Sequence, residues 1–259
     1  MVRAALFQGP AQPGSIASNL NAIGRAAHSA AAAGADILVT PELSSTGYNV
    51  GQRMIEFAQP STGETCRRVC EMAREHGIAI GCGYPESDAG AVFNSTMIAG
   101  ADGHSLAHYR KTHLYGDYER SVFAPGQDLV AQFDFHGVRC GVITCYDVEF
   151  PETVRAHADA GTQWLLVPTG LMRPFEHVAL HIVPARAYES QLFITYVNRC
   201  GSEHGLEFCG LSCAIAPDGG ELVRAGAHED LLIADIDTTV LDRSRAVNTH
   251  LSDRRRDLY

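Results

Sequence analysis

An α/β fold with helix-covered sheets is what this chain predicts, and three features carry the prediction. Short apolar runs with strand character alternate along all 259 residues with segments whose apolar residues recur every three or four positions. Gly34, Pro41 and Gly77 close the segments that precede them. Hydrophobic residues make up 46% and charged residues 19%, enough to bury a large core, so the chain reads as one domain over residues 1–259.

Val2 to Gln8 reads as a strand. Ile16, Leu20, Ile23, Ala27 and Ala30 then mark one face of a helix that ends at Ala33-Gly34. Ile37 to Val39 is a short buried strand closed by Pro41. Ser61 with Glu64 has the spacing of a capping box; the helix behind it carries Cys66, Val69, Cys70 and Ala73 on one stripe and stops before Gly77. Ile78 to Cys82 is a strand, and Val92 to Ala99 with Ser105 to Tyr109 form a hairpin around Asp102-Gly103. A strand over Val138 to Thr144, a helix over Pro151 to Asp159 and a strand over Trp164 to Val167 follow. A helix around His177 to Glu189 comes next, then strands near Phe193 to Val197, Leu211 to Ala216 and Leu231 to Ile236. The segment Ala33 to Pro41 echoes Ala160 to Pro168 about half a chain later. Two similar halves would give a pseudo-symmetric sandwich, although any helix–glycine–strand unit produces the same echo.

The formal net charge of -10 and a pI near 5.6 exclude a nucleic-acid footprint, which needs a basic face, and suit a cationic or neutral small molecule. No apolar stretch is long enough to span a bilayer, and the opening residues lack the pattern of a signal peptide. Eight cysteines without an export signal then imply free thiols in the reducing cytoplasm. Cys66 and Cys70 share an apolar helical face and read as core. Cys209 and Cys213 have no matching histidine pair, and His177 with His181 lacks the zincin order, so no metal is expected. The absence of a glycine-rich phosphate loop calls for no nucleotide cofactor, and Arg254-Arg255-Arg256 reads as an arm packing on a neighbour.

Three reactive side chains follow three strand-like runs: Glu42 after Ile37 to Pro41, Lys111 after Leu106 to Arg110, and Cys145 after Gly141 to Thr144. In open α/β sheets ligands gather at strand ends. A Cys145 thiolate attacks a carbonyl, a Lys111 ammonium favours that anion and stabilises an oxyanion, and a Glu42 carboxylate shuttles the protons. The backbone N–H of Tyr146 is a candidate second oxyanion donor.

These residues sit in motifs that resemble the carbon–nitrogen hydrolase (nitrilase) superfamily, whose members use Glu, Lys and Cys in that order. The matching segments are Pro41-Glu42-Leu43 with Thr46-Gly47-Tyr48, Tyr109 to Leu114, and Cys145 to Glu152; further matches are Phe123 to Gly126, Ala185 to Glu189 and the closing Asp253 to Tyr259. The resemblance covers essentially the whole chain and is greatest to bacterial 5-aminopentanamidases and (R)-stereoselective amidases. It implies a four-layer αββα sandwich with pseudo-two-fold halves, no cofactor, and a homodimer or higher homo-oligomer. It also implies a second carboxylate beside the triad, matched by Glu119, and substrate contacts from Tyr48, Tyr146, Thr169, Gly170 and Met172.

Glu149 departs from the pattern, since many relatives carry Arg there, some of them for carboxylate-bearing substrates. Glu reverses the local sign and favours a neutral amide with a distal cationic amine; the alternative is an ion pair with an Arg at a subunit contact. The sequence therefore reads as an amidase releasing ammonia from a small aliphatic carboxamide, with 5-aminopentanamide as the best candidate. A 4-guanidinobutanamide, an ω-amide of a dicarboxylate, an N-carbamoyl amine and a nitrile remain alternatives. A binding module that kept the fold is the reading from another class, and the lack of Cys-x-x-Cys argues against a thiol redox protein.

Overall fold

The computed structural model describes residues 1–258; Tyr259, the last residue of the closing motif, lies outside the described residues. In chain order the elements are β1 Val2–Gln8, α1 Ile16–Ala32, β2 Ile37–Val39, α2 Met54–Phe57, α3 Glu64–His76, β3 Ala79–Asp88, β4 Ala91–Ala99, β5 Ser105–Arg110, α4 Gly116–Val122, β6 Ala131–Phe135, β7 Val138–Val142, α5 Pro151–Asp159, β8 Trp164–Pro168, α6 Val183–Ser190, β9 Phe193–Val197, β10 Cys200–Glu203, β11 Leu206–Cys209, β12 Cys213–Ile215, β13 Glu221–Arg224, β14 Asp230–Ile236, α7 Thr239–Val247 and α8 His250–Asp253. A 3-10 turn over Cys145–Glu149 precedes α5, and a π-helical turn over Val178–Ile182 leads into α6. No helix among the described residues is long and apolar enough to cross a membrane.

Among the described residues the strands form two six-stranded sheets, ordered β14-β1-β2-β3-β4-β5 and β6-β7-β8-β9-β12-β13, with β10 and β11 as a separate hairpin. Read across each sheet in that order, the pairings run antiparallel, parallel, parallel, antiparallel, antiparallel in both. The halves are therefore pseudo-equivalent, and the echoed segments end in the equivalent strands β2 and β8. The hairpin β10–β11 breaks the equivalence: β9 and β12 are joined through it, whereas β3 turns directly into β4 at Ala89-Gly90.

Period-two alternation divides each strand between two layers. Val2, Ala4 and Leu6 of β1, with Ile37 and Val39, face into the sandwich and share one buried cluster with Cys140, Val142, Trp164 and Leu166 of the opposite sheet. Ala5, Leu38, Ile80 and Cys82 face outward beneath α1 and α3, where Leu20, Ile23 and Ala27 meet Cys66, Val69 and Met72. Each large apolar side chain withdrawn from water there contributes about 1.5–3 kcal/mol before entropy is counted. On the other side Val154 and Ala158 of α5 and Val183 and Ala187 of α6 are buried with β8 and β9. The result is the αββα sandwich expected from the resemblance.

Local structure corrects several boundaries. The capping box expected from Ser61 and Glu64 does not form. Gly63 caps α3 without a side-chain bond, and Gln59 Oε1 accepts from the N–H of Thr65 at 2.9 Å. Gly77, in the left-handed region at φ 67, ends α3 as expected. The strand expected over Ile78 to Cys82 continues to Asp88, because its far half is paired with β4 from Ala91 onward. The helix expected around His177 is a π turn followed by α6.

His157 of α5 is fully buried, with Nδ1 3.0 Å from Thr162 Oγ1. It packs against β7 at Gly141, where a Cβ would lie 2.5 Å from its Nδ1. Burial pulls the imidazole down from 6.5 to about 4, against a hydrogen bond to the backbone of Leu129 and the charge of Asp147. The unfolded chain takes up this proton first, so His157 costs no stability above pH 6.5. The loss develops as the pH falls from 6.5 through about 4 and amounts to about 3 kcal/mol. Urea unfolding of the protein and of His157→Gln at pH 7.5, 6, 5 and 4 checks this: the variant's stability should fall less steeply across that window.

Candidate active site

Each reactive side chain is placed by a turn that few residues can make. Glu42 leaves the end of β2, its N–H donating to the carbonyl of Thr169 at 3.2 Å. Leu43 then takes φ 48, and the loop lies so close to β3 that a Cβ on Gly83 would come within 2.3 Å of the Leu43 nitrogen. Lys111 follows β5. Its N–H donates to Asn94 O and its carbonyl accepts from Gly126 N, both at 2.8 Å, and a Cβ on Gly126 would collide with Arg110 O at 2.1 Å. This packing is the physical content of the Pro125-Gly126 motif. Cys145 follows β7 at φ 49, a conformation that costs a non-glycine residue about 1–3 kcal/mol and presents its side chain at a sharp turn.

Asp147 holds that turn. It closes a capping box with Thr144, accepting from the Thr144 N–H at 3.1 Å. It also accepts from Tyr109 Oη (2.8 Å), Thr112 Oγ1 (2.9 Å) and the His113 N–H (2.9 Å), and lies 2.8 Å from His113 Nδ1. The His113 ring stacks on Phe150 with centroids 3.9 Å apart. One buried carboxylate thus ties the cysteine turn to the segment after Lys111. Arg186 of α6 secures the other end of the turn, donating to the carbonyls of Val148 (3.1 Å) and Glu149 (2.8 Å).

At the centre Lys111 Nζ donates to Glu42 Oε1 and to Glu119 Oε1, each at 2.7 Å, and all three side chains are 0% exposed. Asn94 Nδ2 donates to the same Glu42 oxygen at 2.7 Å. Tyr48 Oη donates to Glu119 Oε1 at 2.7 Å and the Tyr115 N–H to Glu119 Oε2 at 2.8 Å. Glu42 Oε2 has no hydrogen-bond partner among the described residues and faces Gly170, where a Cβ would sit 3.0 Å away. Burial alone would pull the Lys111 ammonium down, but Glu119 and Glu42 outweigh it and hold the group well above its ordinary range. Burial raises Glu119, opposed by Lys111 and assisted by Glu42. The Cys145 thiol is likewise pushed well up, by burial and by the charge of Glu42, against Lys111, the Gly170 N–H and the Thr169 hydroxyl. The thiol thus shares its site with a carboxylate oxygen that has no hydrogen-bond partner among the described residues. Cys145 is partly exposed.

The remaining sequence candidates divide. Thr169 and Gly170 interact with the thiol, and Thr169 Oγ1 also donates to Tyr196 Oη at 3.0 Å. Tyr146 is partly exposed and edge-on to Tyr115, whose ring in turn meets Phe175. Tyr48, expected to contact substrate, is buried with its hydroxyl committed to Glu119. Met172 packs into an apolar cluster with Leu43, Tyr48 and Phe208. Glu149 is half-buried, and among the described residues its carboxylate makes no ion pair; Arg186 pairs with Glu189 instead. Sequence reasoning missed Asn94, Asp147, Tyr115, Arg199 and Glu203. Asn94 inside an apolar strand and Asp147 inside the cysteine motif were the available signals. Among the described residues no group of three His, Cys, Asp or Glu side chains could hold a metal ion.

Helix-covered sheets with a thiol, an ammonium and carboxylates gathered at strand ends define a thiol-dependent hydrolase. The chain belongs to the carbon–nitrogen hydrolase family, whose model matches residues 3–246. It is 40% identical to "Hydrolase in pqqF 5'region" of Pseudomonas protegens, covering all of this chain and 90% of that protein. It is 38% identical to an (R)-stereoselective amidase of a Pseudomonas species, covering 85% of this chain and 80% of that one. The crystal structure of an amidase from Nesterenkonia sp. superposes with a TM-score of 0.91 at 35% identity, over 99% of this chain and 94% of that one. A variant of the Nesterenkonia amidase carries acrylamide added to its active-site cysteine. The protein is thus an amidase-type hydrolase of the nitrilase superfamily.

Removing Asp147 would strand donors on the cysteine turn and on the segment Tyr109 to His113 at once. Asp147→Ala is expected to lose about 3 kcal/mol, seen in calorimetry as a Tm lower by about 6–12 °C; a change under about 2 °C would show that the network does not hold the turn.

Proposed function

We propose that Cys145 is the nucleophile, Glu42 the general base and acid, Lys111 the stabiliser of developing negative charge, and Glu119 the group that orients Lys111. The observation that carries this reading is the buried Glu42 Oε2, without a partner among the described residues, in a site where burial and the charge of Glu42 push the Cys145 thiol well up against Lys111. Glu42 takes the thiol proton as sulfur attacks the amide carbon, and the charge on oxygen is met by Lys111 and the Tyr146 N–H. Glu42 returns the proton to nitrogen, the C–N bond breaks, and ammonia leaves a thioester. Water, deprotonated by Glu42, attacks that thioester; carboxylate and thiol are regenerated. Cys145→Ala should lower ammonia release by at least about 1000-fold while circular dichroism stays unchanged. Turnover retained in that variant would reject the nucleophile.

The substrate is a small aliphatic amide with a distal cationic amine, such as 5-aminopentanamide. Glu149 supports this: it ends the turn that begins at Cys145, is half-buried, and has no ion-pair partner among the described residues. The aromatic rings of Tyr115, Tyr146 and Phe175 nearby suit an alkyl chain and an ammonium. Glu149→Gln should raise KM for 5-aminopentanamide about 10–100-fold and leave uncharged pentanamide within about two-fold. Equal losses on both would remove the cation reading. The protein acts as a homodimer or larger homo-oligomer, as the family resemblance implies; light scattering decides the number.

A further inference from the structure

Behind Glu42 lies a second buried ion pair that the chemistry above does not use. Arg199, between β9 and β10, and Glu203, at the end of β10, are 1% and 2% exposed and bonded to each other through Arg199 Nη1 and Glu203 Oε1. Two charges withdrawn from water seldom stabilise a fold more than apolar residues of the same size would. The remaining bonds of this pair converge on one loop. Arg199 Nη2 donates to the carbonyl oxygen of Glu42. Glu203 Oε2 accepts from the N–H groups of Tyr48 at 2.7 Å and Asn49 at 2.9 Å. Gly47, at φ 85, leaves room for this approach, since a Cβ there would lie 3.2 Å from Glu203 Oε2. The pair therefore grips the segment 42–49 at both ends, from the hairpin that has no counterpart in the first half of the molecule.

We infer that Arg199 and Glu203 are positioning residues that fix the Glu42 carboxylate against the Cys145 thiol. The inference rests on the role proposed above for Glu42. Fixing the backbone at Glu42, Tyr48 and Asn49 also fixes Tyr48 Oη on Glu119, so both carboxylates that flank Lys111 are set from one clamp. A displacement near 1 Å at such a site costs about 100-fold in rate.

The test is the second-order rate of Cys145 alkylation by iodoacetamide across pH, measured with ammonia release per titrated thiol. Arg199→Met and Glu203→Gln should each lower kcat about 10–100-fold with KM within about two-fold, and slow alkylation near neutral pH. In a Glu42→Gln background the same substitutions should slow alkylation several-fold less, because the thiol's base, the first of the two carboxylates they position, is gone. If Arg199→Met does not fold, Glu203→Gln, which keeps the side-chain shape, carries the measurement. Normal kcat per titrated thiol in a folded variant, or equal slowing in both backgrounds, would overturn the clamp. Wild-type turnover in Glu42→Gln alone would instead reject the base while leaving the clamp measurement to be judged by its own slowing.

Discussion

One ammonium between two carboxylates, all three withdrawn from water, is the constraint from which the rest of the site follows. A lysine buried alone would lose its proton; here Glu42 and Glu119 keep Lys111 charged. Each carboxylate oxygen that touches it carries one further donor, Asn94 on Glu42 and Tyr48 on Glu119. Among the described residues that leaves one of their oxygens unengaged, Glu42 Oε2. Burial pushes the neighbouring thiol well up, and Glu42 adds more to this than Lys111 takes away. In the proposed mechanism the site thus holds its charge as a fixed background and moves a single proton. The groups titrate together, and no one residue owns an apparent pKa.

The pseudo-symmetry explains how residues so distant in sequence meet. Equivalent strands β2 and β8 run into prolines, Pro41 just past the end of β2 and Pro168 as the last residue of β8, and Glu42, after the first, donates its N–H to the carbonyl of Thr169, after the second. The loops therefore touch where the two halves join. Cys145 comes from the strand beside β8 and Lys111 from the far side of the first sheet, so neither sheet alone builds the site. Ligand placement at strand ends, a property of open sheets, here becomes a property of two sheets packed face to face.

Much of this was legible in the sequence. Strands β1, β2, β7, β8 and β9 are largely apolar, and Glu42, Lys111 and Cys145 stand shortly after β2, β5 and β7. Short edge strands such as β6 and β13 lack a continuous apolar signal because one side meets water. The hairpin β10–β11 was invisible because Gly201 and Gly205 interrupt its alternation. Ser61 and Glu64 had the spacing of a cap, yet Gln59 reached the helix end first. Arg199 escaped notice because an arginine is rarely fully buried, and the spacing to Glu203 looks like a helical surface pair although Glu203 lies on a hairpin strand and Arg199 just before it.

In the proposed reading the turn from Cys145 to Glu149 unites reactivity with selectivity, and its anchoring keeps the two separable. Asp147 fastens the middle of the turn to Tyr109, Thr112 and His113, and Arg186 holds the carbonyls of Val148 and Glu149. Both anchors bind backbone or other side chains and leave the Glu149 carboxylate alone. In the proposed reading, residue 149 can change charge, as the Arg of many relatives implies, without moving the sulfur that shares its turn. Substrate charge is then set by one side chain on a frame whose geometry is fixed by the residues before it and by helix α6, later in the same half of the chain.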